Sequence, residues 1–460
     1  MSRCRPGASM LSIGLAVALV TGACGGTSGS RHKSATSATM PAGPGCIRPD
    51  SGHGCLPVAP ASKRVDLVRP SFSHPVPITN PLHPTSEVAQ VIFGGQVDGK
   101  PFRTEFTLLP DRKAINWDGR RIDAVTTQYL AYEDGRIQEL AYDWFAQADG
   151  GAVWYLGEDV SDYRNGVAYT HEGSWQAGRD GPGAMIMPAH HRVGDVYRTE
   201  NAPPIVFEEI TVKAVGRTVP GPSGPVRGAL VVSELHTDGT REDKIFAPGY
   251  GEFSTGDAKG DLEAVSLAVP TDARPGPLPA QLSALSAAVR KAFDTVGRND
   301  WAGAATAGTT LREAWDAYRS GDLPPLLERQ TSRDVDLLAR AVAARTPSQA
   351  HQAALRVAQD DLDLRLRHRP LAEVELARLD LWGRQLLVDA VASDRGAVAG
   401  DATTMQLIWQ RVRHGADPAA AARVDARLRD LRAAAGNRDV AAAAGAVPAL
   451  LATVATVRPG

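Results

Sequence analysis

Lysine is scarce in this sequence: eight of the 50 cationic residues are Lys, and none follows Lys291. We read that as the codon bias of a GC-rich genome. Neither sign of charge is in large excess, since 52 Asp and Glu balance the 50 Lys and Arg along the chain. That balance argues against a nucleic-acid binder, which concentrates basic charge on one face. Cysteine is rare, with four residues in 460. No further thiol is at hand to complete a metal site around Cys46, His53 and Cys55. No Gly-x-Ser-x-Gly elbow, phosphate-binding loop or His-Glu-x-x-His occurs, so those three machineries have no support. What is present is a hydrophobic fraction of 43%, enough for packed cores and too high for wholesale disorder.

At the amino end, an apolar run over residues 10–23 follows Arg3 and Arg5. It is shorter than the ~20 residues a membrane-crossing helix needs, and its length and flanks suit an export signal. The run ends Val20-Thr21-Gly22-Ala23-Cys24. This resembles a bacterial lipobox, although Thr21 stands where Leu is usual. The resemblance implies removal of residues 1–23, lipidation of Cys24, and a place at the outer face of the cell membrane. The remaining chain carries a net charge of −4. Anionic headgroups therefore offer it no attraction, and anchoring rests on acyl chains at ~0.8 kcal/mol per buried methylene. Residues 24–85, rich in Gly, Ser and Pro, are expected to form a disordered tether. Within it, Cys46 and Cys55 are expected to form a disulfide outside the cytoplasm, stabilising by roughly 2–3 kcal/mol on the chain-entropy model.

Residues 86–270 are punctuated by Asp98-Gly99, Asp118-Gly119, Asp134-Gly135, Asp149-Gly150, Asn165-Gly166 and Asp238-Gly239. Such pairs suit type I′ turns, and they separate strand-like runs at 128–132, 137–144, 153–157 and 229–235. The spacing predicts an antiparallel curved sheet or open barrel with strands of six to eight residues. Several motifs here are familiar: 128–134, Ala146-Gln147-Ala148-Asp149-Gly150, 153–159, Gly173-Ser174-Trp175-Gln176-Ala177-Gly178, 184–189, 193–197 and Phe246-Ala247-Pro248-Gly249-Tyr250-Gly251. As a set they resemble a recurrent domain of secreted bacterial lipoproteins, with His190-His191 as a departure. The resemblance implies location and fold, and no reaction.

Within this region Asp143, Glu158, Asp159 and Glu172 lie near Trp144, Trp154, Tyr155 and Trp175 in sequence. Paired acids beside aromatic rings are what a glycoside hydrolase requires. The competing reading is a sheet face filled by Trp, with acids at strand ends. A sheet lined by Trp and Met also has the make-up of an open barrel holding an apolar ligand. Trp144, Trp154, Trp175, Met185 and Met187 are its pocket candidates. His190 and His191 have no recognisable third ligand, and we read them as a solvated loop.

Beyond residue 278 the Asp-Gly pairs vanish, Ala, Leu and Arg dominate, and apolar residues recur at helical spacing. Asn299, Thr346, Asp394 and Asn437 each open a new Ala-rich segment, at intervals of 47, 48 and 43 residues. The pattern predicts four helical hairpins, eight helices in all, arranged as two four-helix bundles or a short array. Trp301, Trp315, Trp382 and Trp409 are expected as core. Asp361, Asp363 and His368 tempt a metal hypothesis, but Asp361–Arg365 and Asp363–Arg367 pair at i,i+4, the pattern of a salt-bridged surface. The expectation is thus an α+β multidomain chain: signal peptide 1–23, tether 24–85, antiparallel β domain 86–270 and α-helical domain 278–460. The two folded bodies are expected to be independent. The functional expectation is a cell-envelope lipoprotein acting by binding, with an envelope protein or a small apolar ligand as partner. A glycan hydrolase using Asp143, Glu158 or Glu172, and a lipid or metal carrier, are the alternatives. No catalytic residue, metal site or cofactor is assigned.

Overall fold

The computed structural model describes residues 46–257 and 260–458. The export segment and Cys24 lie outside the described residues. The first half of the chain runs through fourteen strands: β1 (Gln90–Val97), β2 (Lys100–Trp117), β3 (Arg120–Glu133), β4 (Arg136–Gln147) and β5 (Val153–Arg164). Next come β6 (Val167–Thr170), β7 (Trp175–Gln176), β8 (Ala184–Met187), β9 (Val196–Ala202) and β10 (Val206–Gly221). Last are β11 (Gly224–His236), β12 (Arg241–Ala247), β13 (Gly251–Gly256) and β14 (Leu262–Val269).

All pair in one antiparallel sheet of order β6-β5-β4-β3-β2-β1-β14-β13-β12-β11-β10-β9, with β7 and β8 paired to β5. The sheet curls but is not closed. β8 extends the β5 edge and lies beside β9 at the other end. Asp98-Gly99, Asp118-Gly119, Asp134-Gly135 and Asn165-Gly166 each have two consecutive positive φ angles, as a type I′ hairpin turn requires. The arms are longer than expected, 18 residues in β2 and 16 in β10. Within β2 the stretch 111–114 is exposed while Ile115 beyond it is buried again, so the apolar pattern alone understates strand length.

Eight helices follow: α1 (Ala280–Gly297), α2 (Trp301–Arg319), α3 (Pro325–Ala343), α4 (Pro347–Arg365), α5 (Leu371–Val391), α6 (Arg395–Val412), α7 (Pro418–Gly436) and α8 (Val440–Val454). One apolar core joins α1–α4 and a second joins α5–α8, with α4 packed on α5. The turn chemistry recurs through the array. Asn299, Arg345, Ser393 and Arg438 each adopt positive φ, and the next residue caps the following helix. Asp300, Asp394 and Asp439 accept a backbone N–H as N-caps, whereas Thr346 holds that position without a side-chain cap bond. No helix among the described residues is long and apolar enough to cross a membrane.

Residues 46–85 were expected to belong to a free tether, and the structure lays them along the sheet. Cys46 and Cys55 form a disulfide with Cα atoms 5.3 Å apart. Leu56 packs with Phe207 and Leu235, the Ala59 N–H donates to Glu209 at 2.7 Å, and Ile78 is fully buried. Leu56, Ile78 and Leu82, set between the prolines, bury the apolar surface that a Gly/Ser tether lacks.

The β5–β6 turn reaches α6. At Gly166 (φ +72°) an added Cβ would stand 2.1 Å from the Gly396 carbonyl oxygen and 2.3 Å from the Gly400 nitrogen. Gly135 has nearly the same φ, +75°, and nothing within 4 Å. Gly135→Ala should therefore cost only the left-handed backbone penalty, ~1–2 kcal/mol, while Gly166→Ala should cost a further ~1–3 kcal/mol for overpacking. Urea denaturation of both variants measures the difference; equal losses would mean that the turn does not dock on α6.

Candidate functional site

Period-two alternation gives the sheet two faces. Because the sheet curls and helices cover its outside, both faces of β1–β4 are buried. One face lines the lumen and the other meets the helices. The helix-facing side carries Gln90, Arg103, Glu105 and Gln128, where an uncovered sheet would simply be solvated.

Arg411 of α6 donates to Glu105 at 2.7 Å and to Gln128 at 2.6 Å, and lies 3.2 Å from Glu375. Arg378 of α5 donates to Gln90 at 2.9 Å, to Asp363 at 2.8 Å and to Glu375. Arg103 of β2 bridges Glu105 at 2.8 Å and Asp363. Three guanidinium groups thus meet three carboxylates, and the cluster is neutral. Burial alone would raise Glu105, but Arg411, Arg103 and Arg378 outweigh it and hold the carboxyl well below its ordinary range. The Asp361/Asp363 run, expected as a salt-bridged surface, is buried in this interface. Asp361 does pair with Arg365 at 2.9 Å, but Asp363 takes Arg378 and Arg103 in place of Arg367, which donates to the Asp322 carbonyl. The two bodies share this cluster, a coupling that sequence reasoning did not anticipate.

Beside the cluster, a cleft of about 500 Å³ separates the sheet from α3, α4 and α5. Small residues Gly94, Gly95, Ala264 and Ser266 open its floor. Arg103, Arg136, Arg329, Arg333 and Arg356 line it, with Glu105, Asp134, Asp334, Asp360 and five glutamines. At its edge Trp382 stacks on Tyr132, with ring centroids 5.6 Å apart. The Ser266 hydroxyl and one Asp360 oxygen are buried without a hydrogen-bond partner. Burial, with Asp334 and Asp363 nearby, pushes the Asp360 carboxyl well above its ordinary range. Arg329 has no ion pair among the described residues, and Arg356 reaches Asp134 only at 3.8 Å.

The lumen holds a smaller cavity, about 120 Å³, lined by Phe93, Phe106, Phe145, Tyr155, Phe246 and Tyr250. Asp143, Glu208, Glu234, Lys244 and Glu252 line it as well, and the Tyr155 hydroxyl donates to Asp143 at 2.7 Å. Cross-strand register puts Glu200 opposite Glu208, Glu208 opposite His236, and Glu234 opposite Glu242. Directly opposed residues share a face, so a charged wall runs across β9–β12. His236 Nδ1 lies 3.1 Å from Glu208, and Nε2 lies 3.4 Å from Glu242 and 3.9 Å from Glu234. Thr199 Oγ1 is 3.3 Å from Glu208 and 3.1 Å from Glu234, so these two carboxylates converge on one hydroxyl. Lys244 pairs with Glu234. Burial pulls Lys244 down, but the carboxylates, Glu234 foremost, reverse this and raise it above its ordinary value. At the seam between β5 and β9, Glu158 and Glu200 face each other, with Tyr155 beside Glu158, and burial raises both well above the usual carboxylate range.

The residues singled out from the sequence are placed as follows. Trp144, Trp154, Trp175, Met185 and Met187 lie in the apolar core of the β body, while the cavity is lined by their chain neighbours Phe145, Tyr155 and Ile186. Asp143 and Glu158 are opposed on β4 and β5 and buried, whereas Asp159 and Glu172 are exposed. Burial pushes Asp143 up to about 6 against hydrogen bonds from Tyr155 and Thr127. His190 is exposed, and His191 rests on Met187. Trp315 and Trp409 are buried, with their indole N–H groups on Ser332 and Asp425. Sequence reasoning missed Glu208, Glu234, His236 and Lys244. The readable signal was polar residues two apart on adjacent strands, Glu234/His236 and Glu242/Lys244.

No family model matches the chain, and no curated protein matches it.

Removing one partner from a buried ion cluster leaves the other charge stranded, at ~3–5 kcal/mol. Glu105→Gln should lose stability of that order at pH 7. Because the folded-state pKa of Glu105 is depressed, its contribution is full above the unfolded value of 4.5 and is lost as pH falls through the folded pKa. Urea titrations should show the gap between wild type and E105Q constant above about pH 5 and narrowing below 4.5. A gap that ignores pH would show that the carboxylate is not the group at work.

Proposed function

We propose that this is a cell-envelope binding protein, held at the outer face of the membrane by lipidated Cys24, which takes a small polar ligand with an anionic group into the cleft between sheet and helices. The observation that carries this reading is the cleft of about 500 Å³ lined by five arginines, one of them without an ion-pair partner among the described residues. Its size falls within the ~300–1,000 Å³ of ligand sites, which favour domain interfaces. The unpartnered Ser266 hydroxyl and Asp360 oxygen supply hydrogen-bonding groups for neutral parts of the ligand. The lipobox at Cys24 and the likeness of residues 85–270 to secreted lipoprotein domains support the location.

The lumen favours the other readings less. Its cavity of about 120 Å³ compares with the ~150 Å³ that admits benzene, too little for an acyl chain or a sugar chain. Asp143 and Glu158 are buried at that lumen and Glu172 is exposed, so the three do not make a glycan-cleaving pair in one groove.

Native mass spectrometry of the mature chain should show a copurifying anionic adduct below 1 kDa, on the order of the mass a cleft of this volume accepts. Ser266→Phe, which fills the cleft floor without touching a charge, should abolish the adduct while the helical circular dichroism is retained. Arg329→Ala with Arg333→Ala should weaken its retention at least ~10-fold. A bare mass from the wild type, or an adduct kept by S266F, would retire the cleft as the site.

A further inference from the structure

We propose that Glu208, Glu234 and His236 bind a divalent first-row transition-metal ion, zinc foremost, in the wall of the β lumen. This site is separate from the cleft and stands whether or not the cleft binds a ligand.

The geometry supplies the ligands. One atom from each of the three residues can be chosen so that all lie within 4.8 Å of one another, and all three residues are buried. Tetrahedral zinc with bonds of ~2.0–2.2 Å sets its ligand atoms roughly 3.4 Å apart, so contraction by small side-chain rotations closes the site. Thr199 already draws Glu208 and Glu234 together through one hydroxyl. With Nδ1 of His236 toward Glu208 and the ion, Nε2–H points to Glu242 at 3.4 Å. That is the outer carboxylate that orients a metal-bound imidazole.

A second observation points to a missing cation. Glu234 Oε2 carries only the Lys244 ammonium and Glu242 Oε2 only His236 Nε2 at 3.4 Å, and each belongs to a side chain at least nine-tenths buried. Glu200, opposite Glu208, has two further oxygens without a donor. The wall assembles Glu200, Glu208, Glu234, Glu242 and Glu252 against Lys244 and one imidazole. Carboxylates in such excess at low dielectric call for a counter-ion. Lys244, seated on Glu234, occupies the place of that positive charge, and entry of a metal ion moves its ammonium aside. The lumen cavity reaches both Glu208 and Glu234, which leaves room for water on the remaining coordination positions. One imidazole with two carboxylates suits zinc or manganese; calcium takes six to eight oxygens, more than this wall converges.

The test uses the mature full-length chain, dialysed against chelator and titrated with zinc chloride in a calorimeter. One ion per chain is expected, with a rise in melting temperature at saturation. His236→Gln and Glu208→Gln should each weaken binding on the order of 100-fold, and Glu242→Gln about 10-fold with stoichiometry kept. Lys244→Met removes the competing ammonium and should tighten binding about 10-fold. Circular dichroism confirms that each variant folds, and K244M keeps every ligand should the others unfold. No zinc bound by wild type, undiminished affinity in folded H236Q, unchanged affinity in K244M, or calcium bound as tightly as zinc would each overturn the proposal.

Discussion

The structure turns on the meeting of Arg103, Arg378 and Arg411 with Glu105, Asp363 and Glu375 between sheet and helices. Against apolar residues of the same shape, such a cluster adds little net stability, because desolvation consumes most of the Coulomb gain. What it supplies is register. If α5 or α6 slid by one turn, about 5.4 Å, Arg378 would lose Gln90 and Asp363 and Arg411 would lose Glu105 and Gln128. Only one docking of helices on sheet keeps all six charges paired. The cleft beside it, whose Arg103 belongs to both, inherits that fixed geometry.

The helix-facing and lumen-facing sides of the same strands carry different solutions to one problem. Outside, three cations balance three anions, and each finds its partner. Inside, the carboxylates of β9–β12 outnumber Lys244 and His236, and burial raises Glu158, Glu200 and Glu208 above the ordinary carboxylate range. The first arrangement leaves Arg378 Nε and one Arg411 nitrogen without an acceptor and every carboxylate oxygen partnered. The second leaves polar atoms uncommitted, and in the cleft Asp360 and Ser266 do the same. Uncommitted buried polar groups mark where this fold spends stability, and both of its open sites coincide with them.

Much of the architecture was legible. Of the six Asn-Gly and Asp-Gly pairs, four form type I′ turns, because few residue types tolerate two positive φ angles in succession, while Asp149-Gly150 and Asp238-Gly239 do not. The eight helices followed from apolar periodicity and from cap-like residues, of which Thr346 and Asp394 hold the N-cap while Asn299 and Asn437 fall one and two residues before Asp300 and Asp439. The strand lengths and the path of residues 46–85 were less legible, because exposed stretches within a long strand and a proline-rich strap have no period to read. The ion cluster was invisible for a stronger reason: Arg411 and Glu105 are 306 positions apart, and pairing at that separation has no sequence trace. The Asp361–Arg365 and Asp363–Arg367 spacing even suggested a solvated helix face, since i,i+4 pairing looks the same whether a surface is free or covered.

Alternation misled in one consistent way. Glu234 and His236 in β11, like Glu242 and Lys244 in β12, occupy every second position, the pattern of a strand with one wet face. In a flat sheet those residues would be solvated and ordinary. Here the sheet curls until the face that alternation assigns to water becomes a lumen, and residues chosen by a two-residue period are sealed together. Curvature is a property of fourteen strands jointly and of no single one. The same period explains why the Trp and Met side chains that stand out by size fill the core, while Phe145, Tyr155 and Ile186 beside them reach the cavity. A one-residue difference in a strand is a change of face, and in this protein that change decides which core side chains also line the cavity.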